Sequence, residues 1–590
     1  MTESCYWVFC FEPLSKISTP KIFGFSEFLA AVALLAVVYT ISDVRYKFRI
    51  AVTPGSLYVT TFALIAIIGL QTLLTEIWII EGWWVPKGVL LTRSIWQGIF
   101  GLLFLGTILT WMYYAFVRPP VFGKNNALRF AQELYRYILR GNDDELKVIA
   151  NELVRSAESL IKYCRLSQPN TPKNKSSRKQ PEIKKPGVED YAHDILLLIA
   201  NRKFCRHIVS SSPVTAQAFF EEMSDANKFN IPLGQFARNI TSEAVAQKGS
   251  FLYDEAEGYF SGLMGYLKPV SQAIYGNYLL VETLASGVAS PLDIFYEEYW
   301  EWDAKQWEAY CRATLITFNN YLEKGFGSQH SYSIYRSLNI IESASRDLYK
   351  LNDIPEAHDD VIYTRFRVVV DFVKDAIDLI DKQQNPPKPI CRNIKGRHSI
   401  YSKNIYDHLA DLIFKLIFAA STVKSPHICW DIHHNIVWDH FFTHYDEHGV
   451  AWKTVRFKVR RLLYDEITEL AKIPNYKGSK ILGYCLNVLG METPQRKQKS
   501  YDMDAYALSK AVHSWTRKNY LIIHQKNPDV AESVLIGSIS FDEAGNRLVK
   551  TFFKGLNLEA PKSYLNLDQP KFNGPKSLPK NNQALSMHPL

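Results

Sequence analysis

Three long apolar stretches lie near the N-terminus of the chain. They are FSEFLAAVALLAVVYTIS at residues 25–42, IAVTPGSLYVTTFALIAIIGLQTLLT at 50–75 and SIWQGIFGLLFLGTILTWMYYAFV at 94–117. The first contains one acid, Glu27, and the other two contain no charged residue. A helix needs roughly 20 apolar residues to cross about 30 Å of hydrocarbon, so each stretch is long enough. The pattern predicts three transmembrane helices within an anchor at residues 22–118.

Basic residues beside these helices indicate which ends face the cytoplasm, because lysine and arginine are enriched on that side. The larger set consists of Arg45, Lys47 and Arg49 in the first loop and of Arg118, Lys124 and Arg129 after the third stretch. The smaller set consists of Lys16, Lys21, Lys87 and Arg93. This bias predicts that residues 1–21 lie outside and that the first loop and the C-terminal region lie in the cytoplasm. The compact loops are typical of a bacterial inner membrane protein.

After residue 125 the apolar positions recur every three or four residues, the period of amphipathic helices. This pattern predicts a juxtamembrane helical pair at 119–165 and an irregular helical cytoplasmic domain at 189–558. Alternation on both sides of DEAGN predicts a small β-hairpin near the end of that domain, with Gly545 in its loop. Residues 559–590 are rich in proline, asparagine and lysine and are predicted to be a disordered tail. The predicted fold class is an all-α membrane protein.

Composition narrows the classes of function. Apolar residues make up 47% of the 590 residues and charged residues 22%, which is typical of a globular protein. The net charge of +9 is compatible with an anionic membrane surface or with nucleic acid and specifies neither. No nucleic-acid partner is expected. None of the eight cysteines forms a C-x-x-C pair, so the spacing of zinc ribbons and thioredoxins is absent. Free, buried thiols in a reducing compartment are expected instead.

A basic segment at 166–188 separates the helical pair from the larger helical domain and is predicted to be a flexible linker. On the cytoplasmic side it would lie near anionic lipid headgroups, where each basic residue contributes about 1 kcal/mol of binding. The residues predicted to contact lipid are Lys173, Lys175, Arg178, Lys179, Lys184 and Lys185. The expected partners are therefore the bilayer, including anionic headgroups, and other proteins or further copies of this chain.

Metal-ligating side chains are most concentrated in DIHHNIVWDHFFTHYDEHG, which begins at Asp431. In an α-helix His440 and His444 would share one face, with His433 seven residues before His440. Imidazoles at such spacing bind zinc or iron. Three aromatic residues beside them favour the other interpretation, a packed helix whose histidines are structural. The sequence therefore leaves a metal site at His433, His440 and His444 as an alternative.

The chain contains no Walker loop, no dinucleotide-binding glycine motif, no G-x-S-x-G elbow and no H-E-x-x-H. The first hypothesis is a membrane-anchored scaffold, sensor or effector that acts through its cytoplasmic domain without catalysis. A membrane-tethered, metal-dependent hydrolase that uses the histidine cluster is the second. The third is an oligomeric pore gated by the cytoplasmic domain, which requires Gln71 and Gln97 to point inward.

Overall fold

Helices make up most of the protein (72%) in the computed structural model. The structure describes residues 4–6, 9–13, 22–41, 43–55, 57–86, 93–166, 186–260, 269–388, 404–443, 449–492, 503–554 and 559–569. These form two compact units, Met1–Ile294 and Phe295–Leu590. The boundary between the units falls inside the segment 189–558 that the sequence predicted to be one helical domain.

The first unit contains helices α1 to α14. Their bounds are Phe25–Ile41, Val44–Ala51, Leu57–Glu81, Arg93–Met112, Ala127–Arg140, Asp143–Leu153, Ala157–Tyr163, Val188–Leu198, Arg202–Ser211, Pro213–Asp225, Gly234–Ala246, Phe251–Phe260, Val270–Tyr275 and Tyr278–Ser286. A π-helical segment, Tyr113–Val117, continues α4, and a 3₁₀ turn, Val154–Ser156, joins α6 to α7.

Helices α1, α3 and α4 pack on one another through a small cluster of buried side chains, Phe28, Ile65, Ile68, Phe100 and Phe104. The most apolar windows of Val59–Glu81 and Ser94–Val117 are only 22% buried, so most of each helix faces away from the protein. These two helices are long and apolar enough to cross a membrane. Helix α1 has 17 residues. At about 1.5 Å per residue it measures about 26 Å, so the first predicted span, residues 25–42, stays a prediction.

The second predicted span, residues 50–75, starts too early. Residues Val44–Ala51 form the separate helix α2, which begins where the Asp43 side chain accepts a hydrogen bond from the backbone of Arg45. The chain then turns at Gly55, whose φ of +75° costs glycine little. Helix α3 follows and runs over Leu57–Glu81.

Helix α2 packs against the helices that follow α4. The Phe48 ring meets Phe130 and Tyr137 edge-on, with centroids 5.5 and 6.0 Å away. One residue further, Arg49 forms a buried ion pair with Glu152 of α6. The loop between α1 and α3 therefore belongs to the same core as α5 and α6.

A three-stranded antiparallel sheet joins the N-terminal segment to the loop after α3. Its strands are β1 Ser4–Tyr6, β2 Phe9–Pro13 and β3 Trp84–Pro86, in the order β1-β2-β3. The register places Phe11 opposite Pro86. The sequence did not predict these strands, because runs of three to five residues carry little periodicity and the pairing joins distant parts of the chain.

The second unit contains helices α15 to α25. Their bounds are Tyr296–Tyr299, Ala304–Glu323, Tyr332–Ser343, Val361–Asp381, Ile405–Ala420, Pro426–Trp430, Asp439–Phe442, Val450–Glu469, Tyr476–Leu489, Met503–Lys526 and Pro528–Glu532. Three 3₁₀ turns, Phe326–Ser328, Leu348–Asp353 and Ala357–Asp359, and a π-helix, Asp431–Trp438, lie between them. Large buried side chains on α16, α18, α19 and α22 form the core: Trp307, Tyr310, Phe366, Tyr406 and Trp452.

Local sequence explains where several helices begin. Capping boxes precede α6, α16 and α19, at Asn142, Asp303 and Asn404. In each, the cap side chain accepts from a backbone N–H of the first turn, and a side chain three residues on accepts from the cap backbone. These reciprocal bonds satisfy donors that a helix start otherwise leaves unpaired.

The predicted C-terminal hairpin is confirmed. Strands β4 Ile539–Asp542 and β5 Arg547–Thr551 pair in antiparallel fashion, with Gly545 in the loop between them. A third strand, β6 Lys562–Asn566, pairs with β5 and buries Leu565. The predicted disordered tail, 559–590, is therefore wrong for β6, because pairing to β5 orders a strand too short to recognise alone. Residues 570–590 lie outside the described residues.

Candidate functional site

The histidine-rich stretch is not the continuous α-helix that its spacing predicted. It forms the short helix α20, then the π-helix Asp431–Trp438, then the short helix α21. At the end of the π-helix the N–H of Asp439 bonds to the carbonyl of His434, five residues earlier. The wider turn changes the angular spacing between His433 and His440. Such segments occur frequently at functional sites.

His433 is completely buried, and both of its ring nitrogens are engaged. Nε2 lies 2.9 Å from the carbonyl oxygen of Ala420, and Nδ1 lies 3.1 Å from the side-chain nitrogen of Asn487. Because a carbonyl only accepts, Nε2 carries the proton and Nδ1 accepts from the amide. Burial lowers the pKa of His433 to about 3, so the ring is neutral at pH 7. No lone pair is left on this ring for a metal.

His440 lies in a different environment, about one-third exposed. Its Nδ1 donates to the carbonyl of Asn435 at 3.0 Å, and its Nε2 is 3.7 Å from Oδ1 of Asp371 on α18. His444 lies outside the described residues. In the described part of the chain, no group of three or more His, Cys, Asp or Glu side chains is placed to hold a metal ion. The metal hypothesis thus loses His433 in this arrangement and stays untested at His444.

The predicted lipid contacts cannot be compared with the structure. All six residues fall in the segment 167–185, outside the described residues. They are Lys173, Lys175, Arg178, Lys179, Lys184 and Lys185. Their role at the membrane stays a prediction.

The expectation of buried free thiols holds for the cysteines that the structure describes in full. These are Cys164, Cys205, Cys311, Cys429 and Cys485. Burial raises the pKa of Cys429 to about 12, so its thiol is protonated at pH 7. Such thiols act as small apolar side chains and not as nucleophiles.

A buried lysine on β5 lies beside the π-helix. The ammonium of Lys550 donates a hydrogen bond to the backbone carbonyl of Asn487 on α23. Lys550 is 2% exposed. Nζ also lies 5.5 Å from the ring centroid of Trp430 and 5.0 Å from that of Phe552. Both distances are within the range of cation–π attraction. Burial lowers the pKa of Lys550 to about 8.

A cavity of about 670 Å³ opens beside this ammonium. Its lining residues are Pro426, His427, Trp430, Ser538, Lys550, Thr551, Phe552 and Phe553. Ring stacking keeps the Trp430 wall in place, since His434 lies parallel to it at a centroid distance of 3.8 Å. The described lining is therefore mostly apolar, with three large rings and one lysine, the composition usual for a small-molecule site.

Two local features bring the lysine to this position. Leu548 and Lys550 are two residues apart on β5, and both are buried, as expected for the same face of a strand. Before β4, Gly537 has a φ of +62°, and a Cβ there would lie 3.0 Å from the Cys429 sulfur. The backbone thus approaches α20 closely only because this residue is glycine.

Sequence reasoning missed Lys550. The signal was present in RLVKT, where alternation places the lysine on the face of the buried Leu548. A lysine on the inward face of a strand is unusual, because lysine is almost never fully buried without a functional or structural reason. What the sequence did not contain is the position of that face relative to Trp430, which lies far along the chain.

The lowered histidine pKa values predict loss of stability in acid. His433 and His434 have pKa values of about 3 and about 4 in the folded protein, against 6.5 for free histidine. Below about pH 6.5 the unfolded chain binds protons that the folded chain does not. The contribution of these histidines to stability is therefore fully present above that pH and is lost as the pH falls towards about 4. Each histidine contributes a slope of at most about 1.4 kcal/mol per pH unit.

Urea unfolding at about pH 7 and about pH 5 measures this slope. We expect the free energy of unfolding of His434→Gln to change less with pH than that of the unaltered protein, by up to about 1.4 kcal/mol per pH unit. Val361→Gln, at a residue that is 50% exposed in the same unit, provides the control and should leave the slope unchanged because it replaces no titratable group. An unaltered slope in His434→Gln would show that this ring is protonated in the folded state.

Comparison of the chain with models of protein families, with curated proteins and with solved structures finds no match.

Proposed function

We propose that this protein is a membrane-anchored scaffold, sensor or effector that acts without catalysis through the helical region after α4, on the cytoplasmic side. Its partners would be the lipid bilayer and other proteins or copies of itself, without nucleic acid. The observation that carries the proposal is the uncovered apolar surface of α3 and α4. The side chains at Ile67, Leu70, Leu102 and Leu105 are 54–71% exposed. Such a continuous surface is unfavourable in water and suited to hydrocarbon.

The contacts at the helix ends support three crossings with the predicted orientation. Strand β3 follows α3 and pairs with β2, which precedes α1. Helix α2, between α1 and α3, packs on α5 and α6, which follow α4. The N-terminal segment thus contacts the loop between α3 and α4, and the loop between α1 and α3 contacts the helical region. Alternation of this kind is expected when α1, α3 and α4 each cross the bilayer once.

The pore hypothesis lacks a supporting observation. The Gln97 side chain is 2% exposed, and its oxygen accepts the backbone N–H of Ile22 at 3.2 Å. Thr72 is equally buried and donates to the Gly69 carbonyl within its own helix at 2.9 Å. The Gln97 oxygen thus bonds to the segment before α1, Thr72 is satisfied within α3, and Gln71 is only partly buried.

The hydrolase hypothesis is also disfavoured by the described residues. His433 uses both nitrogens within the protein, and His440 faces Asp371. A site of His440 with His444 alone would supply two of the three protein ligands that a catalytic zinc usually has. We therefore do not propose a hydrolase.

The proposal is tested by introducing charge on the uncovered surface of α3. A lysine at the centre of a membrane helix costs about 2.5–3.5 kcal/mol, whereas on a water-exposed surface it costs little. We expect the Ile67→Lys, Leu70→Lys double variant to reduce the chain recovered from alkaline-washed membranes by roughly tenfold or more. The unaltered protein should stay in the membrane pellet.

The matched control places the same substitutions on exposed apolar residues of the helical region. Leu197 and Val214 are 50% and 54% exposed, close to the values of Ile67 and Leu70. The Leu197→Lys, Val214→Lys variant should be recovered from membranes at the level of the unaltered protein. Release of the unaltered chain by alkali, or full recovery of the α3 variant, would contradict a membrane anchor.

A further inference from the structure

The cavity beside Lys550 has the features of a site for one particular class of ligand. Its walls include the rings of Trp430, Phe552 and Phe553, which offer a flat apolar surface. The polar groups on the lining are few, namely the Lys550 ammonium, the His427 ring and the Ser538 and Thr551 hydroxyls. Its volume of about 670 Å³ lies within the ordinary range for small-molecule sites.

The ammonium of Lys550 is poorly compensated by the protein. Among the described residues its hydrogen bond goes to a neutral group, the Asn487 carbonyl, and no ion pair includes it. An ammonium has three N–H groups, and its hydrogen bonding among the described residues uses one of them. A buried cation without an acidic partner is costly, and an anion at this position would offset that cost.

The size and polarity of the cavity select a monoanion with an apolar body. Phosphate groups are usually bound by several backbone N–H groups or by an arginine fork, and no arginine is among the described residues that line this cavity. One ammonium balances one carboxylate. The aromatic walls then cover the rest of the molecule, and hydroxyls at Ser538 and Thr551 are available as further donors.

We propose that this cavity binds a small carboxylate with an aromatic or aliphatic body, its carboxylate on Lys550 Nζ and its body against Trp430 and Phe552. The inference deepens the sensing role in the proposed function and rests on it for its biological use. Binding itself requires only the folded second unit of the full chain. A failure of membrane anchoring would therefore leave the binding result readable, and a failure of binding would leave the anchoring result unchanged.

The test is calorimetric titration of the full-length protein in mild detergent with 4-phenylbutyrate, and separately with its neutral analogue 4-phenylbutanamide. We expect saturable binding of the acid and at least about tenfold weaker binding of the amide, since the amide oxygen accepts a hydrogen bond but carries no negative charge to pair with the ammonium. Lys550→Gln should remove this discrimination. The control Lys554→Gln, four residues on and exposed, should preserve it.

The pH dependence of binding gives a second readout that needs no variant. The titratable groups facing Lys550 are Cys429, His433 and His434, with His427 on the cavity wall. The pKa of the Cys429 thiol is raised to about 12, and the pKa values of His433 and His434 are lowered to about 3 and about 4. None of these three titrates between about pH 7 and about pH 9.

The Lys550 ammonium itself loses its proton across that interval, because burial lowers its pKa to about 8. An anion binds the protonated form of the lysine, so the affinity of the anion is highest below that pKa and falls above it. We expect affinity for 4-phenylbutyrate to fall roughly tenfold from about pH 7 to about pH 9. No saturable binding at millimolar acid, equal affinity for acid and amide, or affinity independent of pH would each overturn the proposal.

Discussion

Glu152→Ala should destabilise the packing of α2 on α6 by about 3–5 kcal/mol, the usual cost of leaving one buried charge without its partner. The Arg49 guanidinium makes two hydrogen bonds to this carboxylate, Nε to Oε2 at 2.8 Å and Nη2 to Oε1 at 2.7 Å. Its third bond goes to the carbonyl of Ala115 at 2.8 Å. Both partners are buried, at 6% and 7% exposed. With Glu152 removed, a buried guanidinium would keep only a neutral acceptor.

Hydrogen exchange of the full-length protein measures this effect locally. Peptides from α2 and α6 should exchange roughly a hundredfold faster or more in Glu152→Ala. The control is Glu189→Ala, which breaks the ion pair with Arg165 between side chains that are 49% and 62% exposed. Ion pairs between exposed side chains contribute little to stability, so its exchange should change little. Equal effects in the two variants would mean that the Arg49–Glu152 pair is not buried in solution.

The same residue shows what local sequence can and cannot indicate. Arg49 was counted as one of the basic residues that orient the anchor, and nothing in its neighbourhood predicted an acid 103 residues away. Helix α2 around it was absorbed into an apolar span, since Ile50 and Ala51 continue the apolar run. The turn at Gly55 decides the boundary, and the dipeptide Pro54-Gly55, which is typical of turns, is the local signal for it that the predicted span does not take into account.

Features that depend on one local period were predicted well. The apolar runs became helices α1, α3 and α4, and the three- to four-residue period became the helices of both units. The alternation around Gly545 became the β4–β5 hairpin. In each case the signal lies within one element and its neighbour, so no distant contact is needed.

The candidate site required information that no local pattern contains. The π-helix widens the turn around His433, and histidine spacing in an ideal α-helix does not foresee it. The lysine becomes a site residue only because β5 packs beside α20 and α23. Histidines indicate a possible metal site by residue type alone, whereas a lone lysine on a short strand indicates a site only together with its surroundings.

The central claim of the proposed function is that the two ends of α4 lie on opposite sides of the membrane. It predicts that a reagent confined to one side labels one end and not the other. Trp83 precedes α4 and is 46% exposed, and Lys124 follows it and is also exposed. If α4 crosses the membrane, these two positions lie on opposite sides. The distribution of basic residues predicts Lys124 in the cytoplasm and Trp83 outside.

Single cysteines at these positions measure the sidedness directly. The background replaces Cys5, Cys10 and Cys391 with serine, since the other five cysteines are buried. A membrane-impermeant maleimide should label Trp83→Cys in intact cells and Lys124→Cys only after the membrane is permeabilised. Labelling of both positions in intact cells, or of both only after permeabilisation, would contradict a crossing by α4. The reversed pattern would contradict the cytoplasmic placement of the helical region.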